Sequence, residues 1–114
     1  MAAASPQLLA DILDSLAEPI TFADMDHMIR YMNRAALAHY GPRGGRPGTS
    51  LFACHNEQSR EAIRQILTRL EAGEDEVLYS EKPEVRLYMR AVRDPEGKLL
   101  GYMERRERVC TVSP

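Results

Sequence analysis

Between Glu76 and Glu107 three strand-length runs follow one another: EVLYSE (76–81), VRLYMRAVRD (85–94) and KLLGYMERRE (98–107). Asp94-Pro95-Glu96-Gly97 joins the last two, and Asp, Pro and Gly at those places are the residues a tight turn demands. Runs joined this closely pair antiparallel, because a parallel return needs a crossover of a dozen or more residues. The C-terminal part is therefore an antiparallel sheet, and the rest of the chain must cover at least one of its faces. In the middle run Leu87, Met89 and Ala91 alternate with Arg86, Tyr88 and Arg90. The aliphatic set is the natural inner face, which leaves the Arg/Tyr set looking outward. Were Arg90 instead turned inward beside Tyr79 or Tyr102, it would be a candidate anion anchor, since a buried Arg needs a partner.

Upstream, Ser5-Pro6 starts a helix, and Leu8, Leu9, Ile12, Leu13 and Leu16 form one apolar stripe up to Pro19. ITFAD then alternates as a strand, with Ile20 and Phe22 expected on one face, and after a turn at Asp24–His27 MIRYM (28–32) returns. Asn33 caps a short helix that Gly41 ends. PRGGRPG (42–48) reads as a surface loop rather than a phosphate nest, because no strand precedes it in P-loop fashion. Residues 49–55 form a short helical turn, and Ala62, Ile63, Ile66, Leu67 and Leu70 mark a long amphipathic helix from Asn56 to Ala72. The order is that of an α+β domain with one antiparallel sheet, helices on one face and the first helix elsewhere.

A chain of 114 residues carries one domain rather than two. Residues 8–107 form it, with 1–7 a flexible N-terminal tail and 108–114 a C-terminal tail. A formal charge of −2 argues against a general nucleic-acid binder. No apolar run approaches the ~20 residues that cross a bilayer, and MAAASPQ has no secretory pattern, so a cytoplasmic location with no membrane partner is the default. Cys54 and Cys110 are too few for a disulfide framework.

The succession ADMDHMIRYMNRAA, PGTSLF, a long helix ending AGED, then RAVRDPEGKLLGY resembles a PAS domain over nearly the whole chain. The phrases CHNEQSRE and YMRAVRD are similar to PAS modules attached to hemerythrin-like domains. The resemblance implies a five-stranded antiparallel sheet in the order 2-1-5-4-3, with helices on one face and a ligand or cofactor pocket between them. It also implies an N-terminal helix outside, dimerisation through that helix and the outer sheet face, and signalling rather than catalysis. One departure is that ERRERV (104–109) stands where many such modules end in Asp-Ile-Thr, which couples to an output helix.

Heme sensors of this kind carry the iron-binding His inside the long helix, where Arg60–Ile63 here hold none; His55 would need another geometry. Flavin photosensors carry Asn-Cys-Arg-Phe, and Cys54 follows Phe52-Ala53 instead. A helix start and adjacent His55 would lower the Cys54 thiol pKa, as a redox switch needs, whereas burial would cancel the effect. His27, His39 and His55 have no metal-ligand spacing. The expected reading is a sensory module, non-enzymatic and homodimeric, whose small-molecule ligand biases its packing and whose state a partner signalling protein reads. The pocket residues are Ile20, Phe22, Met32, Leu51, Phe52, Cys54, Ile63, Leu67, Met89 and Tyr102. Cys54 is expected as a buried thiol, with Asn56 capping the long helix and His55 bonding locally. The rival readings are a purely structural dimerisation module and a heme or redox sensor using His55 or Cys54.

Overall fold

The computed structural model describes residues 3–109, the side chains of Arg43 and Cys54 excepted. Helix α1 (Pro6–Asp14) is followed by strands β1 (Thr21–Asp24) and β2 (Ile29–Met32), helix α2 (Arg34–Tyr40) and 3-10 turns at Gly41–Arg43 and Leu51–Cys54. Helix α3 (Glu57–Glu71) leads into β3 (Glu76–Lys82), β4 (Val85–Arg93) and β5 (Leu99–Arg108). The five strands form one antiparallel sheet in the order β2-β1-β5-β4-β3, as the family resemblance implies.

Local chemistry sets these boundaries. Ser5 Oγ accepts from Leu8 N at 3.1 Å, with Pro6 at the first position of α1. Asn33 Oδ1 caps α2 by accepting from Ala36 N at 3.0 Å, and Asn56 Oδ1 caps α3 by accepting from Ser59 N at 2.8 Å. At the far end of α3 the Arg93 guanidinium donates to Leu70 O at 2.6 Å, satisfying a terminal carbonyl. Ile63, Ile66, Leu67 and Leu70 form one buried stripe of α3, packed over the sheet residues Val77, Met89 and Tyr102. The Gly-rich loop ends by docking on β2: Gly48 N donates to Ile29 O and Ile29 N to Thr49 O, each at 2.8 Å.

Two expectations are corrected. Helix α1 stops at Asp14 rather than running on toward Pro19, because Asn33 Nδ2 captures Leu13 O and Glu18 O, both at 3.0 Å, and turns the chain there. Phe22 is not on the helix-facing side of β1. Thr21 and Ala23 are buried there, paired with Glu104 and Tyr102 of β5, whereas Phe22 pairs with Tyr31 and Met103 on the opposite face. Arg86, Tyr88 and Arg90 do look outward. Arg86 pairs with Glu81 at 2.7 Å and Arg90 with Glu76 at 3.5 Å. Arg105 grips Glu76 through two 2.8 Å bonds while its guanidinium lies 4.5 Å above the Tyr88 ring.

Candidate functional site

The helix-facing side of the sheet is not filled completely. A cavity of about 200 Å3 lies where the sheet meets the connection from α2 to α3. Its apolar wall is Ile29 and Met32 of β2, Leu87 of β4 and Leu51. Tyr40, Gly45, His55 and Tyr79 close the sides, and Thr21, Glu104 and Arg106 form a polar strip along β1 and β5.

Strand alternation produces that strip. Tyr102, Glu104 and Arg106 are spaced by two, so a strand that turns Tyr102 inward turns the two charged residues inward as well. Glu104 is 8% exposed and stands opposite Thr21 on the neighbouring strand. Tyr40 donates its hydroxyl proton to Glu104 Oε2 at 2.6 Å, and burial, then the Glu104 charge, push that phenol well above its ordinary pKa. Arg106 donates from Nη2 to His39 Nε2 at 2.6 Å. Two atoms, Thr21 Oγ1 and Arg106 Nε, are buried without a hydrogen-bond partner among the described residues.

Beside the cavity, His27 sits at the end of the β1–β2 turn with φ 64°, an uncommon conformation for a non-glycine residue. Its ring stacks on Phe52 with centroids 4.0 Å apart, and Nδ1 lies 2.8 Å from Tyr102 Oη. Burial holds the imidazole below its ordinary pKa, helped by the Arg64 guanidinium and opposed by Asp24 and Asp26. Burial also raises the Tyr102 phenol. One hydrogen bond joins the two groups, its direction set by which ring nitrogen of the imidazole carries the proton. A His pKa depressed by folding contributes stability above its unfolded value of about 6.5, and that contribution is lost as the pH falls through the lower folded value. The Tm of the native protein should accordingly drop between about pH 7 and pH 5 by more than that of His27→Asn, Asn being a residue that tolerates positive φ. Parallel Tm-against-pH curves for the two proteins would show that His27 does not carry this dependence.

Of the expected pocket residues, Met32 and Leu51 line the cavity. Ile63, Leu67, Met89 and Tyr102 belong to the packed core, and Phe52 leans against it from the Leu51–Cys54 turn. Ile20 precedes β1, half-buried, with its N–H donating to Asn33 Oδ1 at 2.9 Å. Phe22 faces away. The Cys54 side chain, expected as a buried thiol, and the whole of Cys110 lie outside the described residues. His55 bonds locally, its Nδ1 2.8 Å from Leu51 O, and it also borders the cavity. Glu104, Arg106, Thr21 and Tyr40 were missed as pocket residues. The alternation starting from Tyr102 was the signal for the first two.

A volume of about 200 Å3 holds roughly seven waters at ~30 Å3 each and falls below the ~300–1,000 Å3 of sites for drug-sized molecules. His55, which borders the cavity, holds Nδ1 against the Leu51 carbonyl. Among the described residues there is no cluster of metal-ligating side chains and no helix long and apolar enough to cross a membrane.

Comparison with known proteins places this geometry. A family model described as a PAS domain matches residues 9–105. The C-terminal domain of a Streptococcus mutans protein superposes with a TM-score of 0.75 at 22% identity, covering 92% of this chain and 85% of that one. A PAS domain from Colwellia psychrerythraea gives 0.66 at 11% identity, covering 90% and 95%. A sensory box sensor histidine kinase from Vibrio cholerae gives 0.63 at 15% identity, covering 90% of each chain. A search of curated proteins found no match.

Proposed function

This chain belongs to the PAS domain family, and on that premise we propose that it is a non-enzymatic sensory module that takes a small molecule into the β5-walled cavity. The observation that carries this reading is the cavity itself: a mostly apolar pocket whose polar strip leaves Thr21 Oγ1 and Arg106 Nε without a partner among the described residues. Native proteins leave few such groups, so a molecule that completes them is bound preferentially. Occupancy shifts the packing of the helices on the sheet by the difference in affinity between the two arrangements, and a partner reads the result.

The output surface in this reading is α1. Leu8, Leu9 and Ile12 are each about half exposed on it, at 49%, 51% and 52%, with Leu16 just beyond at 43%. A contiguous apolar stripe of this kind marks an interaction surface, and a second copy of the chain supplies a matching one. The solved Vibrio cholerae relative is a sensor kinase by name, which fits a module that reports to a partner.

Native mass spectrometry of the protein purified from its own host tests the reading in one measurement. The expected species is a two-chain complex carrying a bound small molecule. Removal of residues 1–17 should give a folded, less associated chain that keeps the bound mass. A dimer without bound mass would instead favour a structural dimerisation module, and a bare monomer would overturn both.

A further inference from the structure

Granting that the cavity is a ligand site, we propose that its ligand is a small uncharged molecule with an apolar body and an amide-like edge, an acceptor beside a donor. The acceptor meets Arg106 Nε and the donor meets the Glu104 carboxyl or Thr21 Oγ1. Glu104 and Arg106 are two residues apart on one face of β5, and Thr21 stands across from Glu104 on β1. Residues two apart on a strand are separated by roughly 6.8 Å, a gap spanned by one amide group and two hydrogen bonds of ~2.9 Å.

What each group already does narrows the chemistry. Tyr40 occupies Glu104 Oε2, and His39 occupies Arg106 Nη2. Thr21 Oγ1 and Arg106 Nε remain, buried and without a partner among the described residues, and native proteins leave few such groups. Arg106 offers a donor and Glu104 an acceptor on the same strip, with charges of opposite sign. A carboxylate ligand would satisfy Arg106 but press its second oxygen on Glu104, and an ammonium would do the reverse. A neutral edge with both functions meets both residues. Water could serve the polar strip, but Ile29, Met32, Leu51 and Leu87 offer it no partners, whereas a hydrocarbon body packs there.

The test is titration of the full chain with benzamide, benzoate and toluene, followed by calorimetry and by backbone amide NMR shifts at Ile29, Met32 and Leu51. The three probes share a ring and differ in the polar edge. Benzamide should bind about tenfold more tightly than either of the others. Thr21→Val, which trades a buried hydroxyl for a methyl of the same shape, should cut the benzamide advantage while leaving the ligand-free Tm equal or higher. Arg106→Leu should abolish the advantage, and the valine variant keeps the test intact if the leucine variant does not fold. Toluene binding as tightly as benzamide would overturn the polar edge, and benzoate binding most tightly would overturn the neutral ligand; either leaves the cavity a ligand site. Binding of none of the three would remove the ligand reading and this inference together.

Discussion

Asn33→Ala should destabilise the domain by at least about 3 kcal/mol, close to the upper end of single-residue effects. Asn33 is 0% exposed, and its amide uses all four of its hydrogen-bonding positions. Oδ1 accepts from Ile20 N at 2.9 Å and Ala36 N at 3.0 Å, while Nδ2 donates to Leu13 O and Glu18 O, each at 3.0 Å. Alanine orphans four backbone groups from three segments at once, and the penalty for an unmade buried hydrogen bond exceeds the gain from a made one. Asn33→Asp keeps both acceptor bonds but turns oxygen lone pairs on two carbonyls, so it should be impaired as well. Urea denaturation of both variants measures this. A loss below about 1 kcal/mol for the alanine variant would mean that these groups find other partners.

The second large effect is expected at Gly101. An added Cβ there would fall on the carbonyl oxygen of Ala23 and lie 2.8 Å from Phe22 Cζ and 2.9 Å from Asp24 Cα. Two of those three atoms are backbone, fixed by the β1–β5 ladder in which Asp24 faces Gly101. Relief therefore means separating β1 from the central strand β5, and Gly101→Ala should cost more than about 3 kcal/mol, at or beyond the usual range for overpacking. Gly97, in the hairpin turn with φ 88° and open space around it, is the control. Its alanine variant meets only the conformational penalty of about 1–2 kcal/mol. Equal melting temperatures for the two variants would show that the strands yield easily.

Long elements were legible in the sequence and short ones were not, for a physical reason. In α3 and in β4 the periodic pattern repeats often enough to set both the boundaries and the inner face, and in β5 it set the extent of the strand. In β1, four residues long, alternation has too few repeats to decide between two faces, and bulk favoured Phe22 although the buried face takes Thr21 and Ala23. The end of α1 was hidden differently. Leu16 keeps the helical spacing, and what stops the helix is a side chain about twenty residues away. Asn33 was readable as a cap for α2, but its other three bonds depend on tertiary position. The polar side of the cavity was obscured by composition: ERRER looks like a solvated strand end, yet strict alternation from Tyr102 sends Glu104 and Arg106 inward.

The arrangement of α2 has a mechanical consequence. Its last residue, Tyr40, holds Glu104 in the cavity wall, and its cap, Asn33, holds the final turn of α1. A rod of seven residues, about 10 Å long at 1.5 Å per residue, thus has one end in the cavity and the other on the helix with the exposed apolar stripe. Displacing Tyr40 by a fraction of an ångström would tilt this rod about a pivot that is itself hydrogen-bonded to Ile20, the residue before β1. Motion at the polar strip would then reach the molecular surface through one short lever, without any rearrangement of the sheet.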